Sequence, residues 1–357
     1  SNFWDEALFA EALDQVHATQ HPARCSPTTA TTLRFENRGA AATLNYIAGL
    51  LGMAHMQHKA LVLSRNDPWV YAHNEGCVDF ECYFESWGNC SAAELEEAGA
   101  FQMARSAHEA TFAIVPPKFA HKGMLWWRVV LSAYLFRIRP ELLHAQPHGE
   151  EAAVLDVAQA MRDMHWQRPV LGVHVRVGDS CNKWAIHFNG SCIELEVHAD
   201  AIATMTARYG YRTVFVASDD AAVPALLRPL LAARGLPPSD LRVVTVGEGR
   251  GDLGDRRPTS SEFKTQGVPA AKWIEHRLQQ GELPKKLTAF QVLLDLLLLA
   301  ETDGQVLHLA SNLSRLALAL VIARHKSIRP FISVDGPMCY HWQICCVLAP
   351  DASSTMC

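Results

Sequence analysis

Crossing a bilayer as a helix takes roughly 18 consecutive apolar residues, and no such run occurs in this chain. The richest one, Val292–Ala300, is short and interrupted by Asp295, so it reads as a core helix rather than a membrane span. Positive charge is also scarce. Lysine and arginine number 32 against 37 aspartates and glutamates, a net charge of −5. No basic field therefore exists to recruit nucleic acid or an anionic membrane, and any positive potential for an anionic ligand must be local. Asp-x-Asp is missing, so nothing suggests a diphosphate held through a metal ion, and no residue is assigned as a metal ligand. The Cys-x-x-Cys pairs of zinc sites are missing too. Neither an internal repeat nor a low-complexity tract is present. No signal peptide is visible at Ser1-Asn2, a beginning that fits a trimmed luminal fragment.

What is present fits a folded protein of 357 residues, long enough for two domains with sizeable cores. Hydrophobic residues make up 49% and charged residues 19%, a balance that excludes a disordered chain. The ten cysteines fall in groups: Cys77, Cys82 and Cys90; Cys181 and Cys192; Cys339, Cys345 and Cys346. Cys25 and Cys357 stand alone. Grouped cysteines in loop-like sequence predict local disulfides and an oxidising compartment, against the alternative of reduced cytosolic thiols. The sequons Asn89-Cys-Ser and Asn189-Gly-Ser lie beside these cysteines, as surface loops in the secretory pathway would. A third, Asn312-Leu-Ser, is read as buried and unmodified.

Hydrophobic periodicity predicts a helix over Phe3–Val16, a strand over Thr31–Glu36, a helix over Ala40–His55 and a strand over Lys59–Ser64. That is a βαβ unit whose Gly39 turn would present helix N-terminal amides to an anion. Residues 66–91 carry Trp69, Tyr71, Phe80, Tyr83, Phe84 and Trp87, and read as a long loop stapled rather than packed. Its aromatic rings serve either as ligand platforms or as filling for a small core. Helices follow over Met124–Ile138 and Glu150–His165. The second half alternates without a break in pattern: strands from Val170 and over Thr213–Ser218, Leu241–Val246, Gln305–His308 and Pro330–Val334, with helices over Glu194–Tyr209, Ala221–Ala233, Pro284–Ala300 and Ser311–Arg324. Residues 247–270, rich in Gly, Arg and Ser, read as a mobile active-site loop. The alternation predicts an α/β fold of two doubly wound domains, residues 1–166 and 167–357, facing each other across a cleft.

The most informative stretch is Pro169–Lys183, where an apolar strand runs straight into charge. Ligands of open α/β sheets bind outside the carboxyl ends of the strands, and here that end carries His174, Arg176 and Asp179. Alternation places His174 and Arg176 on one face. An arginine offers a planar fork of donors suited to phosphate oxygens; the structural alternative is an Arg–Asp ion pair at a strand end with a packing histidine. Asp219 and Asp220 end the next strand, where they either accept from a sugar or cap the following helix. Asp295 sits in a helix apolar on nearly every face, so it either meets an internal partner or binds a ligand donor group such as a guanine N–H edge. Ser311, Asn312 and Arg315 open a helix after a strand, an arrangement suited to phosphate, or Ser311 is an ordinary cap with Arg315 solvated.

Gly172-Val-His-Val-Arg-Val-Gly-Asp179, with Trp126-Trp127-Arg128 and Tyr134–Pro140 upstream, resembles the GDP-fucose-dependent fucosyltransferases. The likeness is closest to core α1,6-fucosyltransferases and their nodulation relatives. Val214–Asp220, Leu293-Leu-Asp295 and Leu309–Arg315 resemble that family's later motifs in the same order, and the matches span about half the chain. The resemblance implies a GT-B-like, inverting, metal-independent transferase with no required cofactor, taking fucose from GDP-fucose to a glycan or glycopeptide. It implies a luminal, Golgi-type location with any membrane anchor outside this sequence. Arg176 would bind the β-phosphate, His174 and Asp295 the guanine and ribose side, Ser311 and Asn312 the phosphates, with Asp219, Asp220, Arg315, Gly39 and Tyr71 as further donor contacts.

Two departures from the family pattern stand out. Val177 replaces a second arginine, and no glutamate occurs between Arg176 and Glu194, where the family places its proposed base. Asp179 and His187 are the remaining base candidates, with Lys183 in a shifted place. The alternatives are a non-catalytic GDP- or glycan-binding protein on the same scaffold, and a transferase for another GDP-sugar.

Overall fold

The computed structural model describes residues 3–33, 39–63, 68–72, 77, 79–98, 115–143, 155–176, 193–246 and 274–335. The chain divides into two compact units, one drawn from Ser1–Gly149 with Ile322–Ile328, the other from Glu150–Val321 with Arg329–Met338. Both contain parallel strands joined through helices, so the α/β class holds in each.

In the first unit, helix α1 (Glu6–Gln20) is capped by Asp5, whose side chain accepts from the Leu8 amide at 3.0 Å. The cap explains why the helix starts three residues later than the apolar pattern suggests. It also runs one turn past Val16, because its last buried position is a polar one. Gln20 is 1% exposed. Its amide pairs with strand β2 (Ala60–Leu63) as a neighbouring strand would, accepting from the Leu61 N–H at 2.6 Å and donating to the Leu61 carbonyl at 3.1 Å. Strand β1 (Ala30–Leu33) pairs with β2 in parallel, from Ala30↔Ala60 to Leu33↔Leu63, and α2 (Ala40–Met56) connects them. This is the expected βαβ unit.

The described residues of the 66–91 segment are stapled and packed, which corrects the sequence reading. Trp69, Tyr71, Phe80, Tyr83 and Phe84 are each at most 2% exposed. Trp69 stacks on Phe80 at 4.4 Å, and the Tyr83 hydroxyl donates to the Tyr71 carbonyl at 2.9 Å. A Cys77–Cys82 disulfide closes the local loop, while Cys25, expected to stand alone, is bonded to Cys90 across 65 residues. After α3 (Ala92–Glu97) comes α4 (Gly123–Leu135), whose Trp126 and Trp127 are fully buried. It stops three residues before Ile138, because the chain turns extended there to bridge Phe84 ahead of Pro140, which opens the short α5 (Pro140–Leu143).

The second unit opens with α6 (Val157–Asp163), shorter than expected because Asp156 caps it by accepting from the Gln159 amide at 2.7 Å. Among the described residues its five strands are all parallel, in the order β5 (Arg242–Val244), β4 (Thr213–Ser218), β3 (Val170–Val175), β6 (Gly304–Leu307), β7 (Phe331–Ser333). Helices α7 (Leu195–Tyr209), α8 (Val223–Ala232), α9 (Ile274–Gln279), α10 (Lys285–Ala300) and α11 (Asn312–His325) make the connections. Leu171, Val173 and Val175 join Ala199, Ile202, Met205, Val223 and Leu227 in one aliphatic core. The alternate residues Gly172 and His174 face the other side of the sheet. A Cβ on Gly172 would lie 2.9 Å from Thr302 and 3.0 Å from Leu299, so glycine lets the end of α10 lie flush on β3. Residues 247–270, read as an active-site loop, lie outside the described residues.

Candidate functional site

The chain order of the five-stranded sheet reverses between β3 and β6: from β3 the sheet grows one way through β4 and β5, then resumes on the other side with β6 and β7. A parallel sheet leaves a crevice at such a switch point, outside the carboxyl ends of the strands. The polar residues that end these strands meet there.

His174 is 3% exposed, and its Nδ1 lies 2.7 Å from Ser314 Oγ at the start of α11. Burial, reinforced by the charges of His308, Arg176 and His198, holds the imidazole well below its ordinary pKa, with Asp335 opposing weakly. His174 is therefore neutral near pH 7. The Ser314 hydroxyl already accepts from the His308 backbone N–H at 3.0 Å. Among the described residues its own proton has no acceptor other than His174 Nδ1, which places the imidazole proton on Nε2.

Arg176, just past β3, donates from Nη1 to Asp219 Oδ2 at 2.6 Å. Asp219 stands at the end of the neighbouring β4, so the ion pair spans two strand ends, with the arginine 23% and the aspartate 9% exposed. Asp220 does a different job. Its carboxylate accepts from the Ala222 N–H at 2.8 Å, a local turn that leads into α8. Asp295 is half-buried, not enclosed as its apolar neighbours suggest. Helix α10 leaves the Val292–Asp295 stripe partly open while Leu293, Leu294, Leu296, Leu298 and Leu299 pack. Ser311, Asn312 and Arg315 are half-buried at the start of α11, and Arg315 is not simply solvated: its Nε donates to the Leu309 carbonyl at 2.6 Å.

Three participants were missed in the sequence. Ser314, rather than Ser311 or Asn312, meets His174; it lies one turn into the same motif. His308 and Asp335 follow β6 and β7, and their ring Nε2 and carboxylate Oδ2 are 3.0 Å apart. The Asp335 carboxylate also accepts from the Leu309 and Ala310 amides at 2.8 and 2.7 Å and from the Ser333 hydroxyl at 2.8 Å. Burial raises its pKa, but the His308 hydrogen bond and charge, with the Ser333 and Ala310 donors, outweigh that and hold it below the ordinary carboxylate value. The legible signal was a strand ending in aspartate, the same pattern that singled out Asp219.

Gly39 and Tyr71 belong to the first unit. Gly39 is the residue before α2, with φ −47°, and Tyr71 is 2% exposed with its ring 5.2 Å from Trp69. Asp179, Lys183 and His187 lie outside the described residues. Among the described residues no three His, Cys, Asp or Glu side chains gather so as to hold a metal ion. No helix among them is long and apolar enough to cross a membrane. In the Asn312 sequon, the Ser314 hydroxyl is buried and engaged. Asn89, by contrast, is exposed.

The geometry at the switch point combines a guanidinium, a neutral imidazole and the first amides of α11, a set of donors that suits phosphate oxygens. No protein-family model and no curated protein matches this chain. Solved structures do. The chain is similar to the fucosyltransferase NodZ from Bradyrhizobium at 15% identity, over 86% of this chain and 96% of that one, with a TM-score of 0.45. POFUT1 in complex with GDP is similar at 10% identity, over 86% and 98%, with a TM-score of 0.43. A mutant of Arabidopsis thaliana FUT1 in complex with GDP is similar at 11% identity, over 87% and 72%, with a TM-score of 0.46.

Proposed function

We propose that this chain is a glycosyltransferase that moves L-fucose from GDP-fucose to a hydroxyl of a glycan or glycoprotein, with inversion and without a metal ion. The observation that carries the reading is the joining of His174 and Ser314, residues from two separate family-like motifs, across the β3–β6 switch point at 2.7 Å. In this reading Arg176 binds the β-phosphate and stabilises the charge on departing GDP, an electrostatic role that grows in the transition state. A guanidinium has five donors, so it can keep Asp219 on one edge and take phosphate oxygens on the other. Ser311, Asn312 and the α11 amides hold phosphate oxygens, Arg315 braces the turn before them, and His174 and Asp295 take the guanine and ribose side. The attacking hydroxyl loses its proton to Asp179 or His187, with Lys183 nearby in sequence. The Cys25–Cys90 and Cys77–Cys82 disulfides support an oxidising, luminal setting.

One observation favours a second reading. The absence of any glutamate between Arg176 and Glu194 is compatible with a scaffold that binds GDP or glycan without turnover. Release of GDP from GDP-fucose, measured in EDTA with a panel of glycan and glycopeptide acceptors, separates the two. Acceptor-stimulated release is the expected result. Tight GDP binding with no release on any acceptor would sink the transferase reading.

A further inference from the structure

The His308–Asp335 pair follows the carboxyl ends of β6 and β7, and its bonding pattern is more than an ion pair requires. One carboxylate gathers the His308 ring, the Leu309 and Ala310 amides and the Ser333 hydroxyl, four donors from the ends of β6 and β7. These bonds define the path of the chain between β6 and α11. The same turn aims the His308 backbone N–H at one lone pair of Ser314 Oγ, and the hydroxyl proton, with no other acceptor among the described residues, goes to His174 Nδ1. An aspartate after the sheet's edge strand therefore reaches, through a turn and a serine, the protonation pattern of a histidine on the central strand.

We propose that Asp335 and His308 are positioning residues of the donor site: they fix the turn that opens α11 and, through Ser314, hold His174 in its Nε2–H form. Neither needs to touch the ligand. The inference rests on the donor-site reading above for its consequence in binding, but the His174 tautomer does not depend on that reading. A carboxylate accepting several amides is the means by which a turn with unsatisfied N–H groups is made rigid. A rigid turn presents the first amides of α11 without paying to order them when an anion arrives.

The test uses the full chain, with GDP as the probe. Calorimetry gives the GDP dissociation constant, thermal unfolding gives Tm, and ¹⁵N spectra of the histidine rings give the tautomer, with the His174 signal assigned by its loss in His174→Gln. The wild-type chain is expected to show His174 protonated at Nε2 and bare at Nδ1. Asp335→Asn is expected to weaken GDP about tenfold, the loss of one hydrogen bond to a charged group, and to mix the His174 tautomers. His308→Gln keeps a neutral donor where Nε2 stands, and should retain the tautomer with GDP affinity within about twofold. Should Asp335→Asn fail to fold, His308→Ala, which leaves the amide cradle intact, carries the same comparison with a smaller loss. A wild-type His174 protonated at Nδ1 would overturn the proposal. So would an Asp335 variant with lowered Tm but unchanged tautomer and GDP affinity, the pattern of a purely structural residue. If the wild-type chain binds no GDP, the donor-site reading fails, and the tautomer in the Asp335 and His308 variants still decides the positioning claim.

Discussion

The two units fill their interiors by different means. The first relies on a few large rings: Trp69, Trp126, Trp127, Tyr83, Tyr134, Phe84 and Phe119 are among its fully buried side chains. The two tyrosines are tied to backbone, Tyr134 Oη to the Trp87 carbonyl at 2.7 Å and Tyr83 Oη to the Tyr71 carbonyl at 2.9 Å, whereas the indole N–H groups of Trp69, Trp126 and Trp127 are buried without a hydrogen-bond partner among the described residues. Its sheet, among the described residues, is a two-stranded parallel pair. The second unit packs β-branched and leucine side chains on a five-stranded sheet, with Arg176, Asp219, His308 and Asp335 following the carboxyl ends of its strands. An aliphatic sheet core leaves its edge available for chemistry.

The sharpest way to break this contrast is to remove a ring. Trp127 is fully buried and stacks on Phe119, so Trp127→Ala should cost about 3–5 kcal/mol, enough to lower Tm steeply in a denaturation scan. Arg176→Ala should do the opposite, leaving the fold largely intact while reducing kcat/KM for transfer by about a thousandfold. Arg176→Lys should recover only part of that loss, because the planar fork is gone. Full activity in Arg176→Ala would remove the role assigned to it.

The disulfides offer a graded comparison within the first unit. Cys25–Cys90 closes 65 residues and Cys77–Cys82 closes 5. Loop-closure entropy puts their contributions at about 4 and about 2 kcal/mol, so paired Cys→Ser variants should differ in Tm in that order.

The smallest expected effect is with pH. His174 in the second unit and His55 in the first are both held below the ordinary imidazole value, each chiefly by burial, with His58 adding to the effect at His55. The unfolded chain then binds more protons than the folded one below about pH 6.5, so stability falls as pH drops through that point. Asp335 acts in the same sense but lower, losing its contribution only as pH falls into the carboxylate range. Tm measured from pH 8 to 5 should decline below about 6.5, and the decline should flatten more in His174→Gln than in His55→Gln, since the shift at His174 is the larger.

Legibility followed the same division only in part, since α2 in the first unit was bounded to within one residue and α6 in the second was shorter than expected. Thr213–Ser218 was bounded to the residue, and Leu195–Tyr209 and Lys285–Ala300 to within one, because a strand buried on both faces demands an unbroken apolar run and its helices a periodic one. In the first unit α1 overran its apolar stripe on the strength of Gln20, and the aromatic segment packed where a loop was expected. Both outcomes turn on bonds to distant backbone that no local pattern announces. The Trp126-Trp127-Arg128 motif turned out to be core: two enclosed rings, with Arg128 Nη2 donating to the Asn45 carbonyl at 2.9 Å.

Periodicity and strand-end polarity alone therefore determined the α/β class, the order of elements in the second unit, and that His174, Arg176, Asp219 and the start of α11 stand at strand ends. Which of these groups bond was decided only in three dimensions. Arg176 chose Asp219, 43 positions away, His174 chose Ser314 at 140, and Cys25 chose Cys90 at 65. Local sequence sets the periods that make strands and helices, because those depend on neighbours within a few residues. Partners across a sheet depend on strand order, and strand order is settled by burying both faces of the sheet at once.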